Sequence, residues 1–173
     1  RSWIDYMEQS YGSTSDIYRS SVLAEFTNAE EGAFISLEAV NRAISGAILW
    51  MKRPAIVGLD LAASATGDES VIAIREGNKV TEIIRWRDPD AMRVCGRCIQ
   101  ELQKRNIPAD RVFADAGGLG AGIVSRMRET GFNVQAIQFG GKPIAENQRI
   151  GNRMTELWDN MRFMIEDGKL ILP

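Results

Sequence analysis

From residue 53 onward, apolar residues occur in short runs and alternations that predict a β-sheet. The uninterrupted apolar run Ala55–Leu59 predicts a strand that is buried on both faces. Ser70–Ile74 and Lys79–Trp86 each follow a turn and have the composition of strands, and apolar and polar positions alternate in the second. Because the connections are short, these three strands are predicted to form an antiparallel meander.

Helical and strand patterns then alternate along the rest of the chain. The predicted elements are, in order, a helix from Pro89 to about Arg105, a buried strand Val112–Ala114, a helix from about Gly122 to Thr130, a strand Val134–Ile137, a long helix ended by Gly168, and an extended segment Leu170–Leu172. One face of the long helix is apolar and is predicted to be buried, whereas its acidic residues, Glu156 among them, are predicted to be solvated or to complement the helix ends. The apolar face consists of Met154, Leu157, Trp158, Met161 and Ile165.

The order βββαβαβα predicts an α/β domain of the ribonuclease H-like kind over residues 53–173. Its central sheet is mixed, with three antiparallel strands followed by parallel ones, and helices cover both faces. Residues 1–52 are predicted to be a helical and irregular segment that joins this domain to something upstream. Within that segment, Ser36 has the character of an N-cap for a helix that carries Leu37, Val40 and Ile44.

Two of the predicted strands end in an aspartate followed by a glycine-rich bend. Asp60 ends the first strand, and Asp115 ends the strand that begins at Val112. In a ribonuclease H-like arrangement these two strands are adjacent and parallel, so both carboxylates reach the edge of the sheet where α/β proteins bind ligands. Carboxylate oxygens are the ligands that Mg²⁺ and Mn²⁺ prefer, and Asp60 and Asp115 are therefore predicted to bind one of these metals.

Composition narrows the chemistry further. The chain has 173 residues, of which 45% are hydrophobic and none is histidine, which excludes catalysis by Ser-His-Asp or Cys-His and zinc bound by histidine. Cys95 and Cys98 lie inside a helical pattern, which favours reduced structural thiols over a redox pair. The net charge of −2 indicates no overall basic field, and no apolar run is long enough to cross a membrane.

A pair of carboxylates at a glycine-rich edge suits phosphodiester cleavage with two metal ions. Asp60 and Asp115 are the predicted catalytic and metal-binding residues. Glycines in the segment 117–122 would allow a phosphate backbone to come close. The candidate nucleic-acid contacts are Lys142, Arg149 and Arg153.

At this point the chain resembles the nuclease domain of phage terminase large subunits, the motors that cut and package viral DNA. The motifs that carry the resemblance are Tyr11–Ser15, Val22–Phe26, Gly58–Asp60, Thr66–Ser70, Ala114–Gly122, Asn152–Trp158 and Asp167–Pro173. The resemblance implies a ribonuclease H-like fold, Mg²⁺ or Mn²⁺ as cofactor, and endonuclease activity on double-stranded DNA. In that family, Asp60 and Asp115 match the first two metal-binding acids, and the third lies on a helix after the strand where this sequence stops. No residue in this sequence matches the third acid, so the isolated segment is expected to have an incomplete site and to lack activity by itself.

The resemblance also implies a wider setting. An upstream ATPase domain would belong to the same parent chain, and the portal and the small terminase subunit would be partners in the cytoplasm of an infected host. Both ends of the sequence are expected to be internal to a longer protein. Two alternatives stay open: an ATPase lobe related to actin and sugar kinases, and a non-catalytic module for DNA binding or capsid docking.

Overall fold

The computed structural model describes residues 3–14, 18–19, 22–23, 33–145 and 150–173. Within these residues five strands form one sheet in the order β3-β2-β1-β4-β5. The strands are β1 (Ala55–Asp60), β2 (Ser70–Glu76), β3 (Lys79–Trp86), β4 (Val112–Asp115) and β5 (Gln135–Ile137). The described helices are α1 (Trp3–Tyr11), α2 (Leu37–Ile44), α3 (Ala91–Lys104), α4 (Leu119–Glu129) and α5 (Arg153–Glu166).

The sheet is mixed, as predicted. β2 pairs antiparallel with β1 and with β3, whereas β4 pairs parallel with β1 and with β5. The prediction that β1 and β4 are parallel neighbours at the centre of the sheet is confirmed. The parallel pairs require long connections, and α3 and α4 provide them.

One face of the sheet carries the main hydrophobic core. Val57 and Leu59 of β1 and Val112 and Ala114 of β4 are buried on this face. They pack with the buried sides of α3 and α4, which include Leu102, Ile123 and Met127. Apolar side chains spaced three or four residues apart on these two helices explain why both pack on the same face.

The other face is less completely covered, which corrects one prediction. In β1, Val57 and Leu59 are buried, but Ile56, which precedes Val57 and faces the other side of the sheet, is 37% exposed, so the strand is not buried on both faces. The apolar side of α5 lies over this less covered face but does not pack tightly against it. Leu157 is 42% exposed and Trp158 is 53% exposed. On α5 only Ile165 of the predicted buried face is in fact buried.

A second, smaller core joins α2 to α5. Ala39 and Ala43 of α2 pack with Ile165 and Leu170. Ser36 caps α2 as predicted, since its side chain accepts from Ala39 N at 3.2 Å. The buried side of α2 is formed by its alanines, however, whereas the predicted apolar residues Leu37 and Ile44 are 65% and 52% exposed. Small side chains allow the two helices to approach closely.

The last residues return to the sheet. The predicted strand Leu170–Leu172 is a single parallel bridge in which Ile171 pairs with Lys79 at the start of β3. No helix among the described residues is long and apolar enough to cross a membrane.

Candidate metal centre

Asp60 and Asp115 occupy matching positions on neighbouring strands. Residues 57, 58 and 59 of β1 pair with residues 112, 113 and 114 of β4, and the same offset takes residue 60 to residue 115. Parallel strands lie about 4.8 Å apart, and residues at equal register project to the same face. The two carboxylates are therefore side by side at the C-terminal edge of the central strand pair, on the less covered face of the sheet.

The turn after β4 depends on glycine. Gly117 N donates to Asp115 Oδ1 at 2.9 Å, which fixes the carboxylate against its own turn. Gly118 has a φ of 51°, a left-handed conformation that favours glycine, and it begins α4 without a side-chain cap. A Cβ at Gly120 would lie 2.2 Å from the carbonyl oxygen of Asp115. Only a residue without a side chain allows this helix to start so close to the strand.

The turn after β1 is held by a buried hydroxyl. Ser70 is fully buried, and its Oγ accepts from Ala62 N at 3.1 Å and donates to Ala62 O at 2.7 Å. The backbone two residues after Asp60 is thus tied to the start of β2. Further along the loop, Arg87 donates to Gly67 O at 2.9 Å and pairs with Glu69 at 3.0 Å.

An apolar cleft opens beside the two carboxylates. Its volume is about 530 Å³, and it lies between the less covered face of the sheet and α5. Its lining residues are Gly58, Leu59, Asp60, Val71, Ala73, Phe113, Ala114, Asp115, Ile137, Phe139, Leu157 and Met161. Asp60 and Asp115 are the only charged side chains in this lining, so a cation at the mouth of the cleft would find its protein ligands there.

The donor set fits a hard divalent ion. Among the described residues no three acidic or cysteine side chains form a metal-binding group, so the pair of aspartates stands alone. Mg²⁺ typically binds through one or two carboxylates and completes its shell with water and substrate phosphates. Two adjacent carboxylates therefore fit a Mg²⁺ or Mn²⁺ site whose remaining ligands are water and substrate.

The predicted basic contacts lie on the β5 side of the aspartates. Lys142 and Arg153 line a second cavity of about 290 Å³ together with Gln138 and Gly141. Ile137 also lines it and is the register partner of Asp115. Arg149 lies outside the described residues. The structure thus brings two of the three predicted basic residues together, next to the strand that carries Asp115.

Glu156 is a residue whose place in the structure differs from the prediction. It was predicted to be solvated, but it is 5% exposed and accepts from Ile144 N at 2.9 Å and from Ala145 N at 2.7 Å. These N–H groups, helped by Arg153, lower the pKa of the Glu156 carboxyl although burial opposes the shift. The available signal was an acidic residue in the first turn of a helix that follows a glycine-rich loop, whose N–H groups need acceptors.

The two cysteines do not belong to the site. Cys95 and Cys98 are free and buried on α3, within the main core. Burial raises the pKa of both thiols, that of Cys98 to about 12. Because the thiolate is the reactive form, these side chains are inert core residues, in agreement with the sequence-based interpretation.

A mixed five-stranded sheet whose two central parallel strands end in aspartate defines a ribonuclease H-like α/β domain. Known proteins show the same fold. No family model matches the chain, and no curated protein matches its sequence.

Solved structures of phage large-terminase nucleases do match. The large terminase nuclease of thermophilic phage G20c with bound magnesium has a TM-score of 0.53 at 16% identity, over 73% of this chain and 61% of that chain. The nuclease domain of the large terminase subunit gp2 of bacterial virus Sf6 has a TM-score of 0.53 at 18% identity, over 81% and 73%. A mutant of the Sf6 domain with manganese and beta-thujaplicinol matches similarly, with a TM-score of 0.53 at 17% identity, over 81% and 73%.

The chain therefore has the fold of the phage large-terminase nuclease domains, which confirms the predicted fold class. It spans 61% of the length of the G20c domain.

Proposed function

We propose that this chain is the nuclease domain of a viral DNA-packaging terminase and cleaves double-stranded DNA with the help of Mg²⁺ or Mn²⁺. The observation that carries the proposal is the register of β1 and β4, which puts Asp60 beside Asp115. The structural neighbours support it, since they are terminase nucleases and two of them contain magnesium or manganese.

In this proposal Asp60 and Asp115 are the metal ligands. They would hold Mg²⁺ or Mn²⁺, whose chemistry would be the activation of a water molecule and the stabilisation of negative charge on the leaving oxygen. The chain contributes position: Asp115 is fixed by the Gly117 N–H, and the backbone after Asp60 is fixed by Ser70. The Asp115 carboxylate and the backbone that follows Asp60 are thereby held in place before substrate arrives, which lowers the cost of forming the site.

DNA would approach the edge of the sheet rather than the interior of the cleft. The walls of the cleft are apolar and offer little to a phosphate. At the edge, the glycines that follow Asp115 leave room for a sugar-phosphate backbone, and the N–H groups at the start of α4 favour anions. Lys142 would supply positive charge on the β5 side, next to Arg153, whose own charge is paired with Glu156.

The wider setting follows from the terminase role. Residues 1–52 would connect the nuclease domain to an ATPase motor in the parent protein. The portal and the small terminase subunit would be further partners, and the work would take place in the cytoplasm of an infected bacterium.

The proposal is tested by Mn²⁺-dependent nicking of supercoiled plasmid by the parent protein and by calorimetric titration of the domain with Mn²⁺. Asp60→Asn and Asp115→Asn should each abolish nicking and weaken Mn²⁺ binding at least tenfold, because a ligand charge is lost. Asp110→Asn is the matched control, since Asp110 is an exposed aspartate on the 3₁₀ turn that precedes β4. It should behave as the unaltered chain.

The same titration separates the alternatives. A nuclease binds Mn²⁺ without nucleotide, an ATPase lobe requires ATP, and a docking module binds neither. Full nicking by both aspartate variants would refute the proposed function.

A further inference from the structure

Glu156 is a buried carboxylate with every oxygen engaged. Both of its oxygens accept from Ile144 N, at 3.0 and 2.9 Å, and Oε1 also accepts from Ala145 N at 2.7 Å. Arg153 Nη1 donates to Oε2 at 2.7 Å. A buried charge is tolerated only with such complete bonding, so this side chain is committed to its neighbours.

The group that Glu156 holds is the loop between β5 and α5. Arg153 N donates to Gly141 O at 2.8 Å, and Met154 N donates to Phe139 O at 3.0 Å. These two bonds attach Phe139 and Gly141 to the start of α5. The Glu156 bonds attach Ile144 and Ala145 to the same helix. Residues 139–145 are thus fixed at both ends to the first turn of one helix.

Lys142 sits between these two attachments. It is exposed, and it makes no ion pair with any other residue that the structure describes. Its side chain lines the 290 Å³ cavity with Arg153 and Ile137. Since Ile137 pairs with Asp115, this lysine stands one strand away from the carboxylate pair.

We propose that Glu156 is a positioning residue, which holds the loop so that Lys142 contacts a phosphate of the DNA bound at the carboxylate pair. The inference deepens the proposed function and rests on it. In this role Glu156 contacts neither DNA nor metal, because its carboxylate is paired with Arg153 and hydrogen-bonded to two loop N–H groups. Without those bonds the loop would lose its second attachment, and Lys142 its fixed place.

The test measures the affinity for a fluorescent 30-base-pair duplex in EDTA, across a series of salt concentrations. Each phosphate contact adds about 0.9 to the slope of log affinity against log salt, and its loss weakens binding roughly 8-fold at 0.1 M salt. Lys142→Ala should show both changes. Glu156→Gln should show the same two changes, and the double variant should lose no more than either single one.

Two controls separate positioning from general damage. Asp159→Asn removes another ion-paired acid of α5, whose partner is Arg162, and should leave the salt slope unchanged. Glu156→Gln should keep the Mn²⁺ affinity of the unaltered chain, since Asp60 and Asp115 are untouched. A variant that failed to fold would lose Mn²⁺ binding as well. In that case Glu156→Asp, which keeps the charge on a shorter side chain, replaces Glu156→Gln, and it should show the same reduced salt slope.

The outcomes are distinct. Normal affinity and slope in Glu156→Gln, or losses that add in the double variant, would overturn the positioning role and leave the proposed function intact. If the unaltered chain bound no DNA, the proposed function would fall and the inference with it.

Discussion

Gly120 packs closer to the backbone of Asp115 than any residue with a side chain at that position could. A Cβ at position 120 would lie 2.2 Å from the carbonyl oxygen of Asp115, a backbone atom that cannot rotate away. The start of α4 is therefore packed directly against the end of the strand that carries the candidate metal ligand. This contact makes the carboxylate site sensitive to a single methyl group.

Gly120→Ala should destabilise the fold by about 1–3 kcal/mol, because the added methyl group forces helix and strand apart. It should also weaken Mn²⁺ binding, since Asp115 moves with the strand end. Urea unfolding and Mn²⁺ calorimetry measure the two effects.

Gly122→Ala is the control in the same helix. A Cβ at position 122 has no atom within 4 Å, so alanine should stabilise α4 by about 0.5–1 kcal/mol through its helix propensity. Equal stabilities of the two variants would contradict the close contact.

Removing one carboxylate should stabilise the metal-free protein. Like charges at directly opposed positions cost about 0.2–1 kcal/mol, and Asp60 and Asp115 hold such positions. Asp60→Asn should therefore raise the melting temperature in EDTA by roughly 1–3 °C. Saturating Mn²⁺ should reverse the order, because only the unaltered chain gains stability from binding.

An unchanged or lower melting temperature of Asp60→Asn in EDTA would count against close approach of the two side chains. Asp110→Asn, at the opposite end of β4 from Asp115, should change the free energy of unfolding by no more than about 0.5 kcal/mol.

Ser70→Ala should cost about 1–3 kcal/mol. The substitution leaves the N–H and the carbonyl group of the half-buried Ala62 without their partner. Thermal or urea unfolding measures the loss. Ser64→Ala removes a single, exposed hydrogen bond from Gly67 N and should cost less. A larger loss in Ser64→Ala than in Ser70→Ala would contradict the role of the buried Ser70 hydroxyl.

Acid should release the loop that Glu156 holds. The N–H groups of Ala145 and Ile144 lower the pKa of Glu156 below the ordinary value of 4.5. Its contribution to stability is therefore present above pH 4.5 and is lost as the pH falls through the lowered value. The protection factors of the Ile144 and Ala145 amides should be high at pH 6 and should fall only below the pH at which an ordinary glutamate protonates.

Glu156→Gln provides the comparison for this loop. Exchange at the two amides should be faster than in the unaltered chain at pH 6, and any remaining pH dependence should follow only the chemistry of exchange. Identical protection in both proteins would show that the carboxylate does not hold these amides.

Much of the fold follows from local pattern. The bounds of β3 were predicted as observed, and Asp60 and Asp115 stand at the ends of their strands because apolar runs end there. The pairing of β1 with β4 was inferred from the ribonuclease H-like arrangement that the order of elements indicates, in which the first strand and the fourth are parallel neighbours.

What sequence alone could not supply was the distance between layers. The apolar side of α5 reads as a buried face, but burial depends on how closely the helix approaches the sheet, and here Leu157 and Trp158 stay exposed. The burial of Glu156 was missed for a related reason. Periodicity places a side chain on a helix, whereas the Ile144 and Ala145 N–H groups that enclose it come from a loop with no period.

The in-phase pairing of β1 and β4 ties the proposed chemistry to correct assembly. Sliding β4 by a single position would turn Asp115 inward among Val57, Leu59 and Leu102, where an ion is prohibitively costly, and would turn Ala114 outward in its stead. A molecule with β4 misaligned would thus be too unstable to fold, and no folded but inactive form would accumulate. The alternation of side chains that forms the core therefore also fixes the register that brings the two acids together.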